Sequence, residues 1–334
     1  MAARLPRRLA WLAVGALALV MTLGNIVSST GSGLGCPDWP LCHGRVIPPG
    51  GAEVWIEFRH RLAVPLFSVL LVATAFLTWR RAPAPALRRL AVALVGLLIA
   101  QIVLGGVTVL LGLSPLVSTV HLLTALAVLA GLITICAVPD AGRGAAVSTV
   151  PGLPEPRLAR LATAGLAVLI VQLALGGYVR HSGAGLACPD FPLCSGDVFP
   201  GHWLGWAHWL HRWLGVLLLG FFLHLAWASR HGALAGVGVV VAGAALAQVS
   251  LGILAVLLRL PIAVRASHAV VAYALWALLV WIAVRASGWG AAVGSTIGPP
   301  SIIDPLGSTT DPLGSPSAAP RQAMAARRHS TGRK

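Results

Sequence analysis

Eight long apolar runs limit what this chain can fold into more than any other feature of its 334 residues. A helix needs about 20 apolar residues to cross the hydrocarbon core of a bilayer. Because 57% of the residues are hydrophobic and only 10% are charged, a water-soluble domain could not cover so much apolar surface. The sequence therefore predicts an all-α polytopic membrane protein with eight transmembrane helices. The runs lie near residues 9–29, 62–79, 90–111, 116–138, 158–179, 207–228, 234–258 and 264–284.

The positive charges of the chain follow the spans. The formal net charge is +15, but the arginines cluster in short segments between apolar runs, as topology signals do, and not on a face suited to nucleic acid. The positive-inside rule places these segments in the cytoplasm. We therefore expect a multi-pass protein of the cell membrane with both termini cytoplasmic and with the loops near 30–60 and 180–207 outside. The clustered arginines are Arg4, Arg7, Arg8, Arg80, Arg81, Arg88, Arg89, Arg143, Arg157, Arg160, Arg230 and Arg285.

The chain reads as a tandem duplication. The loop GCPDWPLC at 35–42 recurs as ACPDFPLC at 187–194, and the segment from Gln101 to His121 recurs from Gln248 to His268. A unit with an even number of spans keeps its orientation when it is copied, so the repeat axis is expected along the membrane normal. The sequence thus predicts two tandem four-helix bundles related by a pseudo-two-fold axis.

These repeats divide the chain into four parts. We expect an N-terminal four-helix half over residues 1–140, a cytoplasmic linker over 141–157 and a C-terminal four-helix half over 158–285. Residues 286–334 are rich in Gly, Pro, Ser and Ala, a composition typical of a disordered segment, here on the cytoplasmic side.

Four histidines stand at equivalent points of the two copies: His60, His121, His211 and His268. Each lies near the start of an even-numbered span, which places all four near the outer membrane face. An ionisable residue in the membrane is a functional candidate, and neutral imidazoles are axial ligands of haem iron. Four water-exposed interfacial histidines would explain this repetition less well. We expect two haem sites, one in each half.

Some arginines lie on the expected outer side, against the positive-inside trend, and three of them are candidate contacts for a haem. They are Arg61, Arg212 and Arg265. A guanidinium group can form bidentate hydrogen bonds with a haem propionate. A long side chain that extends to the membrane surface would explain the same position, and both explanations stay open.

The copies differ at one position where chemistry is expected. Glu57 lies three residues before His60, whereas His208 occupies the equivalent position before His211. A carboxylate in a partly apolar cleft can act as a base or stabilise a developing cation. A glutamate near a helix N-terminus is also favoured by the helix dipole, so the sequence alone leaves both roles open.

Each outer loop carries two cysteines. Cys36 and Cys42 share the first loop, and Cys188 and Cys194 share the second. Outer loops face an oxidising compartment, so both pairs are expected to form disulfides. The first pair lies close in sequence to Glu57 and is the better candidate for thiol–disulfide exchange, whereas the second is expected to be structural.

This combination resembles the haem A synthase family over about residues 10–285. The resemblance rests on the two halves with a histidine pair each, the Glu-x-x-His-Arg motif at 57–61 and the cysteine pairs. It implies oxidation of the C8 methyl group of haem O to a formyl group by successive hydroxylations with water-derived oxygen. His60 and His121, with Arg61, would bind the substrate haem, and Glu57 with the cysteine pair Cys36–Cys42 would be catalytic.

The resemblance also implies a cofactor and partners. Haem b would be held by His211 and His268, with Arg212 and Arg265 as candidate propionate contacts. A quinone or another acceptor would take the electrons. Haem O synthase, the farnesyltransferase that makes the substrate, and a second copy of the chain are candidate protein partners. The alternatives are a di-haem b electron carrier between quinone and an external partner, and a membrane thiol–disulfide oxidoreductase.

Overall fold

The computed structural model of the chain describes residues 5–82, 84–138, 156–232 and 234–287. Within these ranges the fold is all-helical, and eight helices are long and apolar enough to cross a membrane, as the sequence predicts. The helices are α1 Leu5–Thr30, α2 Ala52–Arg81, α3 Pro85–Leu110, α4 Pro115–Ala137, α5 Pro156–His181, α6 Trp203–Ser229, α7 Ala235–Leu257 and α8 Ile262–Ala286. The expected linker (141–157) and tail (286–334) fall almost entirely outside the described residues.

The start of α2 is the largest difference from the prediction. The helix begins at Ala52, ten residues before the apolar run near 62–79. Four charged residues lower the hydropathy of its first turns, so a search for apolar residues does not detect them. Helix formation does not require an apolar sequence, and Glu53 in the first turn is favoured by the helix dipole. As a result, Glu57 and His60 lie on one continuous helix, one turn apart.

Each half closes into a ring of four helices. In the first half α1 packs on α2, α2 on α3, α3 on α4 and α4 on α1, and α5 to α8 repeat this order in the second half. The halves meet through α1 and α4 on one side and α5 and α8 on the other. In this interface the buried indole of Trp276 donates a 2.8 Å hydrogen bond to the carbonyl of Leu126. The two-fold axis along the membrane normal and the side on which each loop lies stay predictions.

Candidate functional site

The four predicted histidines lie on α2, α4, α6 and α8, and each ring packs against a glycine of the preceding helix. A methyl group added at Gly176 would lie 2.6 Å from Cε1 of His211, closer than real Cβ atoms come to other atoms. The corresponding distances are 3.0 Å from Gly24 to His60, 3.2 Å from Gly105 to His121 and 3.1 Å from Gly252 to His268. The imidazoles therefore occupy space that any other residue would fill.

This role of the glycines was not predicted from the sequence, although the repeat contains a signal for it. Gly24 and Gly176 are equivalent in the two copies, and Gly105 and Gly252 each follow the repeated glutamine by four residues. Because each glycine belongs to a different helix from its histidine, only the packing of neighbouring helices shows which ring it contacts.

In the C-terminal half, the two histidines face each other across a cavity of about 280 Å³. The ring centroids of His211 and His268 lie 6.4 Å apart, and the rings are inclined at 76°. The wall is mostly apolar and includes Leu218, Phe222 and Leu275. A mainly apolar cavity with a few convergent polar groups is the usual form of a cofactor site.

This histidine pair fits two axial ligands of one metal ion. A metal–imidazole bond of about 2 Å, with roughly 1 Å more to the ring centre, places two opposed ring centroids about 6 Å apart. Nδ1 of His268 lies 3.1 Å from the carbonyl of Gln248, the kind of contact that commonly orients a ligating imidazole. Nδ1 of His211 is buried and has no hydrogen-bond partner. The residues present therefore fit a haem held between α6 and α8.

Three arginines line the same cavity, and two of them, Arg212 and Arg265, were predicted propionate contacts. The Nε of Arg265 is buried without a partner. The third, Arg180, lies at the end of α5, where the first copy has Ser28; the sequence shows this difference between the copies, but Arg180 was not among the predicted propionate contacts. It donates to the carbonyl of Asn25 at 2.6 Å and to the hydroxyl of Ser29 at 2.7 Å. Arg265 donates to the carbonyl of Ser29 as well. Both cations therefore lie between the cavity and the end of α1.

The first-half pair has polar contacts of its own. Nδ1 of His60 lies 3.1 Å from the carbonyl of Val20. Nε2 of His121 lies 3.3 Å from the amide nitrogen of Gln101, as Nε2 of His268 does from that of Gln248 at 3.2 Å. Nδ1 of His121 is buried without a partner. Each half thus contains one histidine whose Nδ1 meets a carbonyl and one whose Nδ1 is unpaired.

The carboxylate of Glu57 is joined to the first cysteine loop. It is buried, and its Oε2 accepts a 2.8 Å hydrogen bond from the backbone N–H of Cys36. Its Oε1 forms an ion pair with Arg61 at 2.5 Å, and this is the only salt bridge within the described residues. The structure therefore brings together the predicted catalytic glutamate and the predicted functional cysteine pair.

Arg61 also holds the loop directly. Its guanidinium donates to the carbonyls of Cys36, Asp38 and Leu41 at 2.7–2.8 Å, in addition to its two contacts with Glu57. These five bonds match the five N–H donors of an arginine. A propionate contact of Arg61 stays a prediction, and it would require one of these bonds to break.

The second half repeats this arrangement with a different central residue. Arg212 donates to the carbonyls of Cys188, Asp190 and Leu193, and His208 takes the place of Glu57. The N–H of Cys188 points at Nδ1 of His208 from 3.3 Å, and Nε of Arg212 points at Nε2 from 3.2 Å. A neutral imidazole has one acceptor nitrogen, so His208 can accept only one of these two bonds at a time.

Both cysteine pairs form disulfides, as predicted. In each loop an aspartate holds the turn that follows. Asp38 accepts from the N–H groups of Gly44 and His43, and Asp190 accepts from those of Gly196 and Ser195, all at 2.6–2.8 Å. The hydrogen bond from Gly44 lowers the pKa of Asp38, and the hydrogen bond from Gly196 lowers that of Asp190.

Comparison with known proteins gives a consistent result. The model of the COX15-CtaA family, described as cytochrome oxidase assembly protein, matches residues 7–280. The chain is 36% identical over 214 residues to a protein named Heme A synthase from Alkalihalophilus pseudofirmus, covering 62% of this chain and 70% of that protein. It is 32% identical over 218 residues to one of the same name from Bacillus licheniformis, covering 63% and 71%. A third, from Halalkalibacterium halodurans, is 34% identical over 230 residues, covering 64% and 73%.

Proposed function

The chain belongs to the COX15-CtaA family of cytochrome oxidase assembly proteins, and we propose that it oxidises the C8 methyl group of haem O to the formyl group of haem A. The observation that carries the proposal is the pair of histidine sites, one in each half, of which only the first has a carboxylate one turn away. A membrane oxidoreductase that acts on a haem needs a place for its substrate and a path for electrons, and two haem sites supply both.

The proposed reaction balances in two stages. Each hydroxylation adds one oxygen atom from water and releases two protons and two electrons, so the methyl group becomes a hydroxymethyl group and then a geminal diol. The diol loses water to give the aldehyde. Four electrons leave the substrate in total, and they must reach an acceptor outside the reacting carbon.

The N-terminal half is the proposed catalytic half. His60 and His121 would hold the substrate haem, with Arg61 beside them. Glu57 would stabilise the electron-poor C8 carbon or take a proton from the attacking water. Support comes from its burial, because a charge in a site that excludes water acts more strongly than one in solvent. Its bond to the Cys36 amide also places the first disulfide next to the site.

The C-terminal half is the proposed electron-transfer half. His211 and His268 would be the axial ligands of haem b, and Arg265 and Arg212 would contact its propionates, because all four line the cavity. Arg180 lines it too and joins this set. When bound, haem b supplies one-electron transfer between the substrate site and the acceptor. The acceptor would be a quinone or the disulfide Cys36–Cys42.

We extend the proposal to the setting of the protein. Both termini would be cytoplasmic and the cysteine loops would lie outside the cell membrane, as the arginine distribution favours. Haem O synthase would be the partner that delivers the substrate, and a homo-oligomer is compatible with the exposed lipid-facing helices.

Analysis of haems extracted from cells that make haem O, with and without this protein, tests the function. We expect haem A or its hydroxymethyl precursor only when the protein is present. The double variant His60→Ala/His121→Ala is the matched control and should yield haem O alone. If wild-type cells contain only haem B and haem O, while the folded protein carries two haem b groups, the chain is an electron carrier and the proposed chemistry is wrong.

A further inference from the structure

The cavity of the C-terminal half contains two arginines, Arg180 and Arg265, that form no salt bridge with the described residues. Both line it, and both donate a hydrogen bond to Ser29. Within residues 5–82, 84–138, 156–232 and 234–287, the salt bridge is the one between Arg61 and Glu57. Neither Arg180 nor Arg265 therefore has an acidic partner within these residues. A partly buried cation without a counter-ion favours a ligand that supplies the negative charge. The unpaired Nε of Arg265 provides a donor for such a ligand.

The first half has serines at both equivalent positions. Arg265 lies three residues before His268, and Ser118 lies three residues before His121. Arg180 corresponds to Ser28, and in the folded chain the two residues touch, with Nε of Arg180 3.0 Å from the hydroxyl of Ser28. The arginines that surround one site are thus replaced by neutral hydroxyls at the other.

The two remaining arginines beside the histidines increase this difference. Arg61 is neutralised by Glu57 and directs its donors into the loop. His208 stands beside Arg212 in place of that glutamate. Arg212 itself lines the cavity. Three arginines that form no salt bridge with the described residues therefore surround the C-terminal site, whereas the matching positions of the N-terminal site contribute no net charge.

We propose that this charge difference decides which haem stays and which leaves: Arg180 and Arg265 retain the dianionic haem of the C-terminal half, and Ser28 with Ser118 lets the haem of the N-terminal half exchange. The inference rests on the proposed function, in which one haem is a cofactor and the other is substrate and product. Turnover requires the product to dissociate, and dissociation slows by about tenfold for each 1.4 kcal/mol of added interaction. A charge-assisted hydrogen bond contributes about that much or more.

Haem transfer to excess apomyoglobin, followed by absorbance, tests the proposal on the purified full chain loaded with haem. We expect a fast and a slow phase. His60→Ala should remove the fast phase and His211→Ala the slow one, which assigns each phase to a half. Ser118→Arg should slow the fast phase roughly tenfold, because it adds one charge-assisted contact. Its uncharged match Ser118→Gln should leave the fast phase within about twofold.

The reverse substitution, which removes an arginine from the C-terminal half, tests the proposal even if the Ser118 variant misfolds. Arg265→Gln should speed the slow phase roughly tenfold while thermal unfolding of the apoprotein and both disulfides stay as in the wild type. Unchanged phases in the folded Ser118→Arg and Arg265→Gln variants would overturn the charge argument alone. Failure of the wild type to bind haem in either half would overturn the proposed function, and this inference with it.

Discussion

The two outer loops have the same construction, yet the residue at the centre of each differs. In the first half a carboxylate accepts the cysteine N–H at 2.8 Å and the arginine at 2.5 Å. In the second half an imidazole meets the same two donors at 3.3 and 3.2 Å and can accept from only one. The backbone of the loop does not need the charge, because the second loop folds without it. Holding the loop is therefore not a sufficient reason for a carboxylate at position 57, which is consistent with the catalytic role proposed for Glu57.

The largest expected effect is the loss of haem from one half when a histidine of that half is replaced. His211→Ala should abolish binding of the haem proposed for the C-terminal half, because it removes one of the two histidine ligands from an apolar cavity. His60→Ala should leave that haem in place. Haem-to-protein ratios and reduced spectra of the purified variants measure this. Equal loss of the resident haem from both variants would mean that the halves share one site.

The next effect concerns Glu57 and His208, which occupy equivalent positions of the two halves but differ in chemistry. Glu57→Gln should lower haem A formation by about 10²–10⁴-fold, the usual contribution of a positioned acid, base or charge. His208→Gln should change it by no more than a few-fold, although both variants alter a loop contact of the same kind. Chromatography of extracted haems gives the rates. If the two substitutions had similar effects, Glu57 would be a loop anchor and the catalytic role would be lost.

A smaller, graded effect is expected from the glycines. Gly176→Ala would place a methyl group 2.6 Å from the His211 ring, compared with 3.2 Å for Gly105→Ala and the His121 ring. Overpacking of this kind costs about 1–3 kcal/mol, so Gly176→Ala should destabilise the protein more. Thermal unfolding and the haem spectrum report both effects. The argument fails if Gly105→Ala proves the more damaging of the two.

The smallest effect should be equal in the two halves. Hydrogen bonds lower the pKa of Asp38 and Asp190 in the folded loops, so their stabilising contribution is present above the usual aspartate pKa and is lost as pH falls below it. Both disulfides should therefore become easier to reduce by a phosphine below about pH 4. Asp38→Asn should remove this pH dependence from the first loop only. A pH response confined to one wild-type loop would contradict the symmetry of the turns.

The fold was largely predictable because its signals are local. An apolar run of sufficient length identifies a span without reference to its neighbours, and two cysteines six residues apart can close a loop on their own. The start of α2 at Ala52 escaped detection because hydropathy reports the membrane and not the helix. Charged turns such as those around Glu57 continue a helix beyond the apolar core.

The site was predictable only in part because its contacts join distant segments. The four histidines were identified by repetition, which sequence shows directly. The contact between the His60 ring and Gly24 joins residues on different helices. The hydrogen bond from Arg180 to the carbonyl of Asn25 joins the two halves. The contacts of Arg61 with the loop carbonyls could not be predicted, because they depend on the folded path of the loop.

The contact of each histidine ring with a glycine of the preceding helix affects how the geometry of a histidine pair can change. Each histidine and its glycine belong to one helical hairpin, so the rotation of an imidazole is fixed within that hairpin. The distance between two opposed imidazoles depends instead on how two hairpins dock. In the proposed haem sites, the tilt of each ring and the distance between the two rings would therefore be governed by separate contacts. A sequence change between hairpins would move the two rings apart or together without turning either ring.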